Sequence, residues 1–187
     1  MKIINRQAVK QFLLTGHFCT PEKYLKKQGV KLGKGCFISA CHVMATEGYL
    51  IEIGNYVRIA QNVKFFTHGG IYSLQIKYDD PTLDYFGKIK IGNYVSIGEG
   101  ALIMPGVTIG NDVIIGAGSV VTKSVPDNCM VAGNPIKYIG KTDDFYKNIL
   151  NHFNLKSGQM GIKEKKDFLM SLPEDAFIQK PFIKTTK

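Results

Sequence analysis

From residue 89 the chain repeats itself every six residues, and that period constrains the fold more than any other feature. In IKIGNYVSIGEGALIMPGVTIGNDVIIGAGSVVT, aliphatic residues stand at Ile91, Ile97, Ile103, Ile109, Ile115 and Val121. A second register two residues earlier holds Ile89, Val95, Ala101, Val107, Val113 and Ser119, all apolar or small. Such a period matches neither an amphipathic helix nor the strict alternation of a hairpin strand. It fits short strands separated by corners, with Gly54-Asn55, Gly92-Asn93, Gly110-Asn111, Gly116 and Gly118 expected to tolerate positive φ at the bends. One coil of this kind cannot bury its apolar side alone, but a stack of coils can. The repeat therefore implies an all-β solenoid.

The same unit appears upstream as Ile51, Val57 and Val63 with Ile53, Ile59 and Phe65, and more faintly around Val30, Leu32, Cys36 and Ile38. Phe65 and Ile91 stand 26 positions apart, which is not a multiple of six, so a segment is inserted there, at about residues 67–88. A smaller frame break falls in SACHVMATEGYL. The main insertion opens on His68, a histidine placed where the repeat stops.

The 187-residue length suits one sizeable core with appendages. Three segments are expected: a lead-in over 1–27, the solenoid over 28–140, and a tail over 141–187. The tail should hold a helix at TDDFYKNILNHF capped by Thr142, and a second at KEKKDFLMSL. The lead-in should cap the open end of the stack, whose strand edge would otherwise invite pairing. No apolar run is long enough to span a bilayer, so a soluble, cytoplasmic protein is expected. Cys19, Cys36, Cys41 and Cys129 show no metal-finger or disulfide spacing and read as reduced thiols. The net charge of +9 could attract several kinds of anion, but no nucleic-acid-binding motif accompanies it. The lysine runs read as solvated faces.

The stretch IGNDVIIGAGSVVTKSVPDNCMVAGNPIKYI resembles the hexapeptide-repeat acyltransferases, and within them the galactoside, maltose and xenobiotic O-acetyltransferases. The resemblance covers roughly residues 28–140. It implies a left-handed parallel β-helix, a hand that runs against the usual crossover preference, with an extruded acceptor loop. It also implies a homotrimer with sites between subunits, acetyl-CoA as acetyl donor, no metal, and a carbohydrate hydroxyl as acceptor. His68 is then the general base, oriented by an acidic residue of the loop: Asp79, Asp80 or, nearest the relatives' position, Asp84. Asn62, Tyr72 and Tyr85 are implied on the acceptor side. Gly98, Ala117, Thr122, Lys123 and Lys137 are implied along the coenzyme, with Lys137 toward its phosphates.

Two departures are visible: Ser96 stands where relatives often carry an aromatic residue, and Glu99 where a small polar residue is common. His42, on a faint repeat register, reads as structural. Rival readings are an antibiotic O-acetyltransferase, an amino-sugar N-acetyltransferase and a non-catalytic scaffold. A zinc carbonic anhydrase on this fold would need a close histidine pair that His42, His68 and His152 do not supply.

Overall fold

The structure is a computed structural model and describes residues 6–17, 19–44, 46–153 and 155–180. It falls into two compact units, 1–142 and 143–187.

The hexads form short strands in three stacks. The first stack holds β1 (Lys31–Leu32), β4 (Ile51–Ile53), β7 (Ile89–Ile91) and β10 (Thr108–Ile109). The second runs through β2 (Phe37–Ile38), β5 (Arg58–Ile59), β8 (Ser96–Ile97), β11 (Ile114–Ile115) and β13 (Cys129–Ala132) to β14 (Lys137–Lys141). The third holds β3 (His42–Val43), β6 (Lys64–Phe65), β9 (Leu102–Ile103) and β12 (Val120–Val121). Each coil visits the three stacks in turn, and pairing between coils is parallel. The registers Ile91↔Ile109, Ser96↔Ile114 and Leu102↔Val120 each span three hexads, as a three-sided coil requires. The exception is β14, antiparallel to β13 although a parallel solenoid was expected to run to residue 140. The turn between them contains Gly133 at φ 102 and a cis Asn134–Pro135 bond, and it reverses the chain.

Ile59, Ile97 and Ile115 line one edge of the interior, Val57, Val95 and Val113 a second, and Phe65, Ile103 and Val121 a third, all buried. Burying each such side chain stabilises the fold by about 1.5–3 kcal/mol. Ser119 continues the Val63 and Ala101 column, and its buried hydroxyl donates to Gly116 O and accepts from Gly133 N–H.

Gly118 takes the expected positive φ, at 66, but the bends at the Gly-Asn pairs differ from expectation. Positive φ falls on Tyr56, Tyr94 and Asp112, one residue after each Gly-Asn pair. The asparagines form a ladder instead: Asn55 N–H and Nδ2 donate to Asn93 Oδ1, Asn93 repeats this toward Asn111, and Asn111 N–H donates to Asp127. Left-handed backbone costs a tyrosine about 1–2 kcal/mol. Stacking of the Tyr56 and Tyr94 rings, 5.2 Å apart and 10° from parallel, offsets part of that cost.

Helices α1 (Arg6–Thr15) and α2 (Pro21–Lys27) pack on the first coil. The buried Gln11 carboxamide donates to Cys41 O and accepts from Cys41 N–H, and Tyr24 Oη accepts from Val43 N–H. The inserted loop contains a short helix, α3 (Tyr72–Lys77). At the boundary of the units, Thr142 is the first residue of α4 (Thr142–Asn148) and not its cap, and its buried Oγ1 has no partner among the described residues. In the second unit, α5 spans Ile162–Met170, and Gly161 N–H donates to Glu164 Oε2 at its start.

Candidate active site

Strand stacking sets two corners of the coil on which chemistry can be built. The strands of the third stack are followed by Met44, Phe66, Met104 and Thr122; the N–H groups of the first three donate to Phe65, Ile103 and Val121 of the next coil, so these positions form one column. The inserted loop leaves this corner. Its ends are joined where Gly87 N–H donates to Thr67 O at 2.8 Å and His68 bridges Phe86.

His68 is therefore fixed by the coil and not by the loop tip. Its Nδ1 lies 3.1 Å from Glu47 Oε2, and the Phe86 ring meets it edge-on at 5.7 Å. The ring is 38% exposed and the Glu47 side chain only 14%. Glu47 also accepts from Thr46 Oγ1 at 2.6 Å and from the buried Thr67 Oγ1 at 3.1 Å. The Thr46 hydroxyl foremost, then His68 and Thr67, hold the Glu47 carboxyl below the usual glutamate range against the opposing effect of burial. An ionised carboxylate only accepts, so His68 Nδ1 carries the proton toward Glu47. In the neutral ring Nε2 then keeps its lone pair, which is the arrangement of a general base.

The orienting residue is thus Glu47, from the smaller frame break, and not an aspartate of the loop. Asp84 Oδ1 accepts from Tyr85 N–H at 2.7 Å, and Asp80 accepts from Thr82 N–H and Oγ1. Asp79 adopts φ 49 after α3 and lines a dent with Tyr72, Gln75, Ile76 and Pro81. The local bonds of Asp80 and Asp84 turn those two carboxylates back on their own turns. Glu47 was missed because register, not spacing, brings it to His68: Val43 pairs with Phe65, so the residues after each reach the same corner.

Of the other expected residues, Tyr85 places its hydroxyl directly over Gly69, the residue after His68. Tyr72 is exposed on α3. Thr122 and Lys123 follow β12 on the His68 corner, two coils on. Lys123 and Lys137 line a cleft of about 250 Å³ with Val125, Cys129, Val131 and Ile136. Asn62, at φ 61, sits on the other corner, at the far end of β6 from His68. Gly98 and Ala117 share that corner with Asn62, one and two coils on. A Cβ on Gly98 would come within 2.4 Å of Ala117 N, so close packing alone demands a glycine there. One chain does not bring Asn62 and His68 together. Among the described residues, no three His, Cys, Asp or Glu side chains converge as a metal ion would require.

A family model described as bacterial transferase hexapeptide (six repeats) matches residues 88–123. Over 153 residues the chain is 44% identical to Protein CapG of Staphylococcus aureus, covering 80% of this chain and 87% of that protein. It is 36% identical over 108 residues to galactoside O-acetyltransferase of Escherichia coli (strain K12), covering 58% of this chain and 52%, about half, of that relative. Among solved structures, galactoside acetyltransferase in complex with coenzyme A matches with a TM-score of 0.51 at 30% identity, over 67% of this chain and 72% of that one.

Proposed function

Because this chain belongs to the hexapeptide-repeat transferases and is an acetyltransferase among them, we propose that it moves the acetyl group of acetyl-CoA to a carbohydrate hydroxyl, with His68 as general base. The observation that carries this reading is the Glu47–His68 pair, which leaves Nε2 of a half-exposed ring open at the mouth of the loop.

In the reaction, Nε2 takes the proton of the acceptor hydroxyl as its oxygen bonds to the thioester carbonyl carbon. The resulting oxyanion collapses, the carbon–sulfur bond breaks, and the departing thiolate takes the proton back from Nε2. Glu47 stabilises the imidazolium formed between these steps and keeps the ring in one tautomer. No covalent acyl-enzyme is needed.

The opposed positions of Asn62 and His68 on β6 support a threefold assembly, in which the Asn62 corner of one subunit faces the His68 corner of the next. The likeness to hexapeptide-repeat acetyltransferases supports a left-handed coil. Lys123 and Lys137 flank a largely apolar cleft, which suits a pantetheine arm ending in phosphates. Tyr85 and Tyr72 offer rings to a sugar face. Among the described residues no helix is long and apolar enough to cross a membrane, and the proposed use of acetyl-CoA supports a cytoplasmic reaction.

The test is release of CoA from acetyl-CoA across sugars, nucleotide sugars and chloramphenicol- or streptogramin-type drugs, with His68→Ala beside wild type. Turnover on a sugar should fall by roughly a hundredfold or more in the variant. Equal turnover by both proteins would remove His68 from the chemistry, and preference for a drug would replace the acceptor class.

A further inference from the structure

The Asn62 corner carries a cation that the acetyl-transfer step does not use. Helix α1 lies beside this corner, and Lys10 Nζ donates to Gln61 Oε1 at 3.1 Å. Lys10, Leu13, Leu14, Gln61 and Asn62 line an open cleft of about 190 Å³. Among the described residues no carboxylate lies within ion-pair distance of Lys10. Lys64, two residues beyond Asn62, adds positive charge on the outside of β6. The acidic side chain on this corner, Glu99, belongs to the next coil, whose Gly100 N–H donates to Gln61 O.

The cleft thus offers two neutral carboxamides beside one ammonium. Carboxamides donate to and accept from hydroxyls, whereas an ammonium only donates and gains most from an ionised oxygen. We propose that Lys10 makes this subsite select acceptors bearing one negative group, a sugar carboxylate or a sugar phosphate, while Gln61 and Asn62 hold neighbouring hydroxyls. The inference rests on the reading that Asn62 lines the acceptor site. The gain is one of binding, because an anionic group of the acceptor that takes no part in the transfer meets Lys10 equally in the ground state and the transition state.

The experiment compares methyl β-galactoside, methyl β-galacturonide and galactose 1-phosphate as acceptors for wild type, Lys10→Gln and Lys10→Arg, following CoA release. At least one anionic acceptor should exceed the neutral one by about tenfold in kcat/KM, as a charge-assisted hydrogen bond would give. Lys10→Gln should abolish that advantage through KM, and Lys10→Arg should keep it. Which anionic acceptor responds identifies carboxylate or phosphate as the group read. Equal use of all three acceptors by wild type, or a preference that survives Lys10→Gln, overturns the inference and leaves the acetyl-transfer reading standing. Absence of transfer to any of the three, with binding of acetyl-CoA also absent, sinks both.

Discussion

Replacing Glu47 by glutamine tests how the proposed base is held. At the observed 3.1 Å, unit charges attract by about 5 kcal/mol at an effective dielectric near 20. The His68 ring is 38% exposed, so water screens roughly half of this, leaving about 2–3 kcal/mol between carboxylate and imidazolium. That attraction exists only once the ring has taken the acceptor proton, so its loss raises the barrier and not the binding energy. A glutamine can also turn its amide N–H toward Nδ1, which would leave the proton on Nε2 and remove the lone pair. Together these effects should lower kcat by about a hundredfold, with KM for acetyl-CoA unchanged. Steady-state CoA release supplies both constants, and a thermal melt checks that the variant remains folded. A kcat within threefold of wild type in a folded variant would refute the argument, as would a loss confined to KM, which a merely structural role would give.

Two other predictions concern stability. Asn93→Ala removes bonds to Asn55 and Asn111 and orphans the Asn55 N–H, so it should destabilise the fold by about 2–3 kcal/mol, read as a lower denaturant midpoint at unchanged slope. Burial, then the charges of Lys64 and His17, lowers the His42 pKa from its ordinary value. The unfolded chain therefore binds the extra proton first, and stability should fall as pH drops through the ordinary histidine range toward the lower folded value. His42→Asn should flatten that slope in melts taken between about pH 7 and pH 5.

The hexads of residues 89–121 were legible because one period fixes inward side chains and corners together, and the three strand registers repeat it without slippage. The inserted loop showed itself as a break in that arithmetic. Helix α3 did not, because YSLQIK is only six residues long and begins without a side-chain cap at Ile71. Glu47 was hidden for a different reason. The first and second coils are offset by 21 residues at β2 and 22 at β3, so no hexad count aligns Glu47 with His68. The asparagine ladder was likewise unreadable as hydrogen bonds, since Gly-Asn at a bend suggests a backbone preference. Only the stack shows that the side chain serves as the connecting group while the following tyrosine takes the unusual φ. Asn62 and His68 were both named, yet their placement at opposite ends of one strand appears only when corners are counted.

The closure between Thr67 and Gly87 makes the inserted loop a detachable module. Both ends meet at the Thr67–Gly87 hydrogen bond and the His68–Phe86 bridge, and the third coil resumes in register: Ile89 pairs with Ile51 and Phe65 with Ile103. Lengthening such a segment costs only logarithmically in chain entropy, about 0.6 kcal/mol per doubling. The loop can therefore be exchanged, shortened or grafted while Glu47 and the coil keep their places. Selection on the loop's contacts and selection for a stable coil thus act on separate stretches of one chain.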